Sequence, residues 1–266
     1  MAEATDAMKI SLIRAGVVLL LVLVSGCGGS KVLKEPEPLV LSESLASASD
    51  ERLSVNLDWV IVRDGPGTWA KNAFWDEYLL RVSNDSDRPI QLTELVVVDS
   101  LNTRIAAQQG RKQLVAGSKQ TSRRYKESGI KVIAGSGRGT VGVAAATAAG
   151  AGVGAAIGAG AGGAAIGGAA GGAAIVGAVV LAPVLAVGGI ARGVNHSAVN
   201  TQIEERQTIL PLDLPVGDEL GLDIFFPLAP SPQMVELAYK DATGDYVIVI
   251  HTSAVLNDLH IESSDE

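Results

Sequence analysis

The sequence holds a single cysteine, Cys27, which excludes an internal disulfide framework and a cysteine-rich metal site. Aromatic residues make up only 4% of the 266-residue chain, so aromatic clusters cannot be the main source of core burial. Histidine is limited to His196, His251 and His260, and no pair of them has metal-ligand spacing on a helix. No serine stands in a nucleophile-elbow pattern and no Gly-Lys-Ser/Thr occurs, so the chain offers no catalytic residue, metal site or cofactor site. Gly137, Gly139 and Gly142 spell G-x-G-x-x-G after the strand-like Ile130 to Ala134. A dinucleotide turn also needs an acidic residue about 20 positions on, and no carboxylate lies between Glu127 and Glu204. Asn84, Asp85 and Asp87 have cation-ligand chemistry, but turn formation before Pro89 explains them. The sequence therefore reads as that of a non-enzyme.

What is present begins with a signal. Met8 to Cys27 runs from a short basic region (Lys9, Arg14) through an apolar stretch, Ala15 to Val24, to small residues, the order of a secretory signal. Its ending, Leu23-Val24-Ser25-Gly26-Cys27, resembles the lipobox of bacterial lipoproteins. That resemblance implies a signal peptide over 1–27 and lipidation of Cys27. Gly28, in place of aspartate, implies sorting to the outer membrane rather than the inner one. Residues 28–52, containing Ser and Pro with little apolar content, are expected to form a tether.

Beyond the tether, hydrophobic residues alternate. In Leu53 to Ile61 (LSVNLDWVI), Leu53, Val55, Leu57, Trp59 and Ile61 share one face, which predicts a strand with that face in a core. Glu77 to Ser83 and Ile90 to Ser100 follow, separated by the turn NDSDRP. Strand signals resume in Thr208 to Leu228, then in QMVELAY and YVIVIHTS, joined by the hairpin-like KDATGD. The expected architecture is mainly β: a seven-stranded immunoglobulin-like sandwich in two pieces, 53–100 and 192–255, followed by an acidic tail, 256–266. Two independent β-units are the alternative, but each would leave apolar edges exposed. Trp59, Trp69 and Trp75 are expected in the core or at its edge, with Trp69 in a loop the one to test for binding.

The break between the pieces, 139–191, is rich in glycine and alanine and has the length of two spans of about 20 residues with a turn. The spans are placed at 141–166 and 173–191, with the turn at 167–172. Gly150, Gly154, Gly158 and Gly162 fall on one helix face, continued with a one-residue offset by Gly163, Gly167 and Gly171. Small residues at every fourth position let helices touch backbone to backbone in lipid. Signal and tract together resemble the glycine-zipper lipoproteins of the bacterial envelope, with self-association through the hairpin as the implication. A flexible linker is the alternative, though such linkers are usually Gly/Ser-rich and polar.

Charge is also distributed unevenly. The chain carries a net −8, yet Arg104 to Arg138 holds nine Lys/Arg against Glu127 alone. The basic segment, 101–138, is expected beside the bilayer. There Arg111, Lys112, Lys119, Arg123, Arg124, Lys126, Lys131 and Arg138 would meet anionic headgroups. Such a block outside the cytoplasm conflicts with the positive-inside rule for an inner-membrane protein, which again favours the outer membrane. Nucleic acid is not an expected partner, because the block has one aromatic, Tyr125, and the chain carries an export signal. The expected function is that of a lipid-anchored, periplasm-facing envelope protein with a structural or interaction role, its partners being lipid, further copies of itself or another envelope protein. A pore built from oligomerised hairpins is the alternative.

Overall fold

The computed structural model describes residues 29–36, 39, 43–135 and 196–262. Cys27, Arg138, the hairpin expected over 139–191 and all seven zipper glycines lie outside the described residues. The described chain is mainly β, built from antiparallel sheets. One sheet has the order β2 (Ala46–Ser49), β3 (Leu53–Ile61), β5 (Asp76–Asn84), β9 (Glu219–Phe226). A second has the order β11 (Gly244–His251), β10 (Met234–Asp241), β6 (Ile90–Val98), β7 (Arg104–Ala106), and β8 (Leu212–Leu214) also pairs with β6. A small ribbon joins β1 (Lys31–Val32) to β4 (Ala70–Lys71).

Both large sheets draw strands from either side of the break. β5 pairs with β9 over Asp76↔Phe226 to Ser83↔Glu219, and β6 pairs with β10 over Met234↔Val98 to Lys240↔Gln91. The two pieces are thus one folded body, and independent β-units are excluded. The reason is burial: Leu53, Val55, Leu57, Leu80 and Val82 of the first sheet share one core with Leu92, Val97, Val235, Leu237 and Ile250 of the second. Each piece supplies strands to both walls of that core, and neither wall is complete without the other piece.

The structure departs from the expected seven strands at short elements. β1, β2, β4, β7 and β8 have two to four residues each, too few for alternation to register. In β3 the clean alternation also fails. A register shift between Leu57 and Trp59 marks a bulge, and Asp58 to Ile61 are all buried. Ser44 and Arg81 cover Asp58 by hydrogen bonds to its carboxylate, and Trp59, Val60 and Ile61 all join the main core, while a second apolar cluster lies over Phe225 on the outer side of the first sheet.

That cluster accounts for two helices in the basic segment and after the break. It joins Trp69, Ala70, Ala73 and Trp75 to Phe225, Leu114 of α1 (Arg111–Glu127), and Val199 and Ile203 of α2 (His196–Arg206). α1 buries Leu114, Ser118, Thr121 and Tyr125, a stripe with one aliphatic residue, so hydrophobic periodicity gave no sign of it. Its end is chemically marked. Gly129, at φ 77°, is in the left-handed region, and the amides of Ile130 and Gly129 return to the carbonyls of Tyr125 and Lys126.

Two other segments differ from expectation. Within 28–52, Ser30 is buried, β1 pairs with β4, and the amide of Leu33 donates to the Trp69 carbonyl at 2.8 Å. The fold therefore takes hold of the chain three residues after Cys27, and no long tether separates them. At the other terminus, Leu256, Leu259 and His260 are fully buried and Ile261 bridges to Val132. Residues 256–261 are core and strap rather than acidic tail.

Candidate functional site

The long strands run between two unlike ends. β5 alone spans nine residues from Asp76 to Asn84, which puts the ends about 26 Å apart at 3.3 Å per step. The end near Asp76 gathers the chain's crossings into and out of the fold. Its centre is the loop from Val62 to Trp75. Ser30 Oγ donates to the Asn72 carbonyl at 3.1 Å, and Arg63 Nη2 donates to Asn72 Oδ1 at 3.2 Å. Gly135, the last described residue before the break, lies so close that a Cβ added to it would meet the Arg63 carbonyl at 3.3 Å. α2, which opens at His196, contacts β1 and packs Val199 and Ile203 against Trp69 and Ala70 through the outer cluster.

Gly135 is clamped from the opposite terminus. His260 Nδ1 lies 2.6 Å from the Gly135 carbonyl and Nε2 lies 2.8 Å from Asp76 Oδ2, with His260 and Asp76 both fully buried. A carbonyl can only accept, so Nδ1 carries a proton. An ionised Asp76 also only accepts, so the ring then donates from both nitrogens as an imidazolium. Burial alone draws the imidazole pKa down. The Asp76 charge and hydrogen bond, with the backbone bonds to Gly135 and Ile133, outweigh it, and the net shift is upward. The amide of Ile133 donates to the His260 carbonyl and that of Glu262 to the Lys131 carbonyl, completing an antiparallel strap.

Beside this clamp, Glu77 is buried on the outer face of β5. Arg206, at the end of α2, donates to Glu77 Oε1 from Nε at 2.8 Å and also from Nη2. Trp69 Nε1 donates to Glu77 Oε2 at 2.5 Å, and the Arg206 guanidinium lies 5.6 Å from the Trp69 ring centre. Burial and then the Glu77 carboxylate push the neighbouring Asp223 carboxyl well above the usual range, so Asp223 holds a proton at neutral pH. Trp69, singled out for binding, is thus a structural partner. The cavity it lines with Ile61, Thr68, Ala73 and Glu77 has room for about one water molecule.

α1 lies across the same end. Ser118 Oγ donates to the Phe74 carbonyl at 2.6 Å, and the Tyr125 hydroxyl meets Ser100 Oγ at 2.9 Å and the Pro230 carbonyl at 3.1 Å. Burial raises the Tyr125 pKa to about 12. Its buried stripe leaves Lys112, Lys119, Arg123 and Lys126 exposed, with Arg111 partly so. Arg124 is occupied, reaching the fully buried Asp99 at 2.5 Å, and Lys131 pairs with Glu262 at 2.6 Å. Sequence reading missed two further cations at this end. Lys31 and Lys71 are exposed, are direct cross-strand partners in the β1–β4 ribbon, and form no ion pair among the described residues.

The opposite end has the other sign. Its turns expose Asp85, Asp87, Asp218, Glu219 and Asp245. The net charge thus conceals a separation along the strand axis, basic around α1 and the ribbon, acidic around the far turns.

No helix among the described residues is long and apolar enough to cross a membrane, and no group of three or more metal-ligating side chains occurs among them. Comparison with known proteins gives no further identification: no family model matches the chain, and no curated protein or solved structure is significantly similar to it.

Proposed function

We propose that this chain is a bacterial envelope lipoprotein, acylated at Cys27 and facing the periplasm, in which a split β-domain carries a glycine-zipper hairpin to the membrane. The observation carrying this reading is the interleaving of the two pieces. β9 pairs with β5 and β10 with β6 across a break that includes 53 residues without an ionisable side chain. A tract that leaves and rejoins one body enters and exits a bilayer on the same side, an even number of crossings, and its length suits two. Gly150, Gly154, Gly158 and Gly162, continued by Gly163, Gly167 and Gly171, supply the small-residue face for self-association. The role is structural or interactive, through hairpin contacts or another envelope protein, and the outer membrane is the favoured site. The two sheets around one core support an immunoglobulin-like sandwich elaborated by a ribbon and two helices.

The test replaces residues 1–27 with an ordinary cleavable signal, so that the exported protein carries no lipid. Its membranes are then extracted with alkaline carbonate. Retention in the pellet supports an integral hairpin. Release shows that the tract is no membrane element and overturns that part of the reading. Dye leakage from liposomes, abolished by Gly154→Leu and Gly158→Leu, would instead favour a pore.

A further inference from the structure

We infer that the Asp76 end of the domain is the face that lies on the bilayer, with Lys31 and Lys71 contacting anionic headgroups. This rests on the reading of Cys27 as acylated. Three residues of chain span at most about 11 Å, so an acyl group on Cys27 is held close to Ser30, which is buried against the Asn72 carbonyl. The chain also leaves for the apolar tract here, since a Cβ on Gly135 would meet the Arg63 carbonyl at 3.3 Å and Arg63 bonds Asn72. α2 receives the returning chain against β1. Lipid anchor and tract therefore emerge from one end of the fold.

Charge fixes the occupant. Like charges directly opposite across a ribbon are destabilising, yet Lys31 and Lys71 are paired in register with no ion pair among the described residues. Their chain neighbours Val32 and Ala70, the other register pair of the ribbon, turn the other way, towards the outer cluster. The lysines thus face outward at the end where the acyl chain is held. Anionic headgroups satisfy both charges, whereas the far turns, with Asp87 and Asp218 exposed, would be repelled.

The test uses the full lipidated chain in vesicles of phosphatidylethanolamine with phosphatidylglycerol, where Cys27 is consumed by its thioether. Single cysteines replace Pro66 on the near loop, or Asp87 or Asp218 at the far end. Each protein is floated with its vesicles and labelled with a membrane-impermeant maleimide. The inference expects labelling at position 66 to be about 25-fold slower than at 87 or 218, because contacts worth about fivefold for each of the two lysines hold the loop against the surface. Lys31→Gln with Lys71→Gln should bring position 66 up to the far-end rate while flotation persists. Flotation with equal labelling at all three positions overturns the orientation and leaves the lipoprotein reading intact. Failure to float overturns that reading, and the inference with it.

Discussion

His260 and Asp76, 184 residues apart in sequence, meet at 2.8 Å with both side chains fully buried. The contact fastens the C-terminal strap to the start of β5, and through the other ring nitrogen it holds the Gly135 carbonyl. The folded pKa of His260 lies above its ordinary 6.5. Its contribution to stability is therefore fully present below about pH 6.5 and is lost as pH rises through the folded value. His260→Gln should cost about 3–5 kcal/mol at pH 6, because Asp76 would stay buried without its cation. Urea unfolding at pH 6 and in steps to pH 9 should show the deficit against wild type shrinking as pH rises. A deficit that grows with pH would reverse the assignment.

Asp223 acts in a lower window. A carboxyl raised above its unfolded value of 3.8 makes the folded state bind the extra proton, so stability falls as pH climbs from about 4. Asp223→Asn replaces the neutral acid with a neutral amide of the same shape. Between pH 4.5 and 6 the variant should gain stability relative to wild type as pH rises, read as a growing difference in urea midpoints.

Gly117 lies under Pro227. A Cβ there would come within 2.6 Å of Pro227 Cγ, and Pro227 is itself buried. Alanine is the better helix former by about 1 kcal/mol, yet Gly117→Ala should destabilise by about 1–3 kcal/mol, because packing outweighs propensity in a filled core. Thermal unfolding followed by circular dichroism decides the sign. Gly129→Ala provides the contrast, since nothing lies within 4 Å of its added Cβ and only the φ of 77° opposes it.

Replacing residues 136–195 with a flexible Gly/Ser linker of about 25 residues, which spans roughly 25–30 Å on average, should leave the β-domain folded. The expected result is one cooperative urea transition and a monomeric elution volume. Neither piece expressed alone should unfold cooperatively, because β5 would lack β9 and β6 would lack β10.

The sequence was informative where a physical preference is local. Alternation located β3, β5, β6, β10 and β11 closely, because each is eight or nine residues long and faces a core on at least one side. The two-residue Ala242-Thr243 loop of the β10–β11 hairpin was legible from its turn residues for the same reason. α1 was not, since its buried stripe contains two polar residues, Ser118, whose hydroxyl finds carbonyl acceptors, and Thr121. Lys31 and Lys71 were passed over because one lay in an expected tether and the other in a loop, and only the ribbon brings them together.

The sequence by itself determined the lone cysteine after an apolar run, the uncharged glycine-rich tract, the basic block and the long strands, all of which depend on neighbours in the chain. Tertiary structure alone decided that Ser30, Gly135 and the basic helix α1 lie at one end of the domain. The pairing of β5 with β9, the contact of Gly135 with His260, and the burial of His260 on Asp76 join residues far apart in sequence. Such contacts form because burying both pieces in one core outweighs the entropy of closing the long loop between them, which grows only with the logarithm of its length.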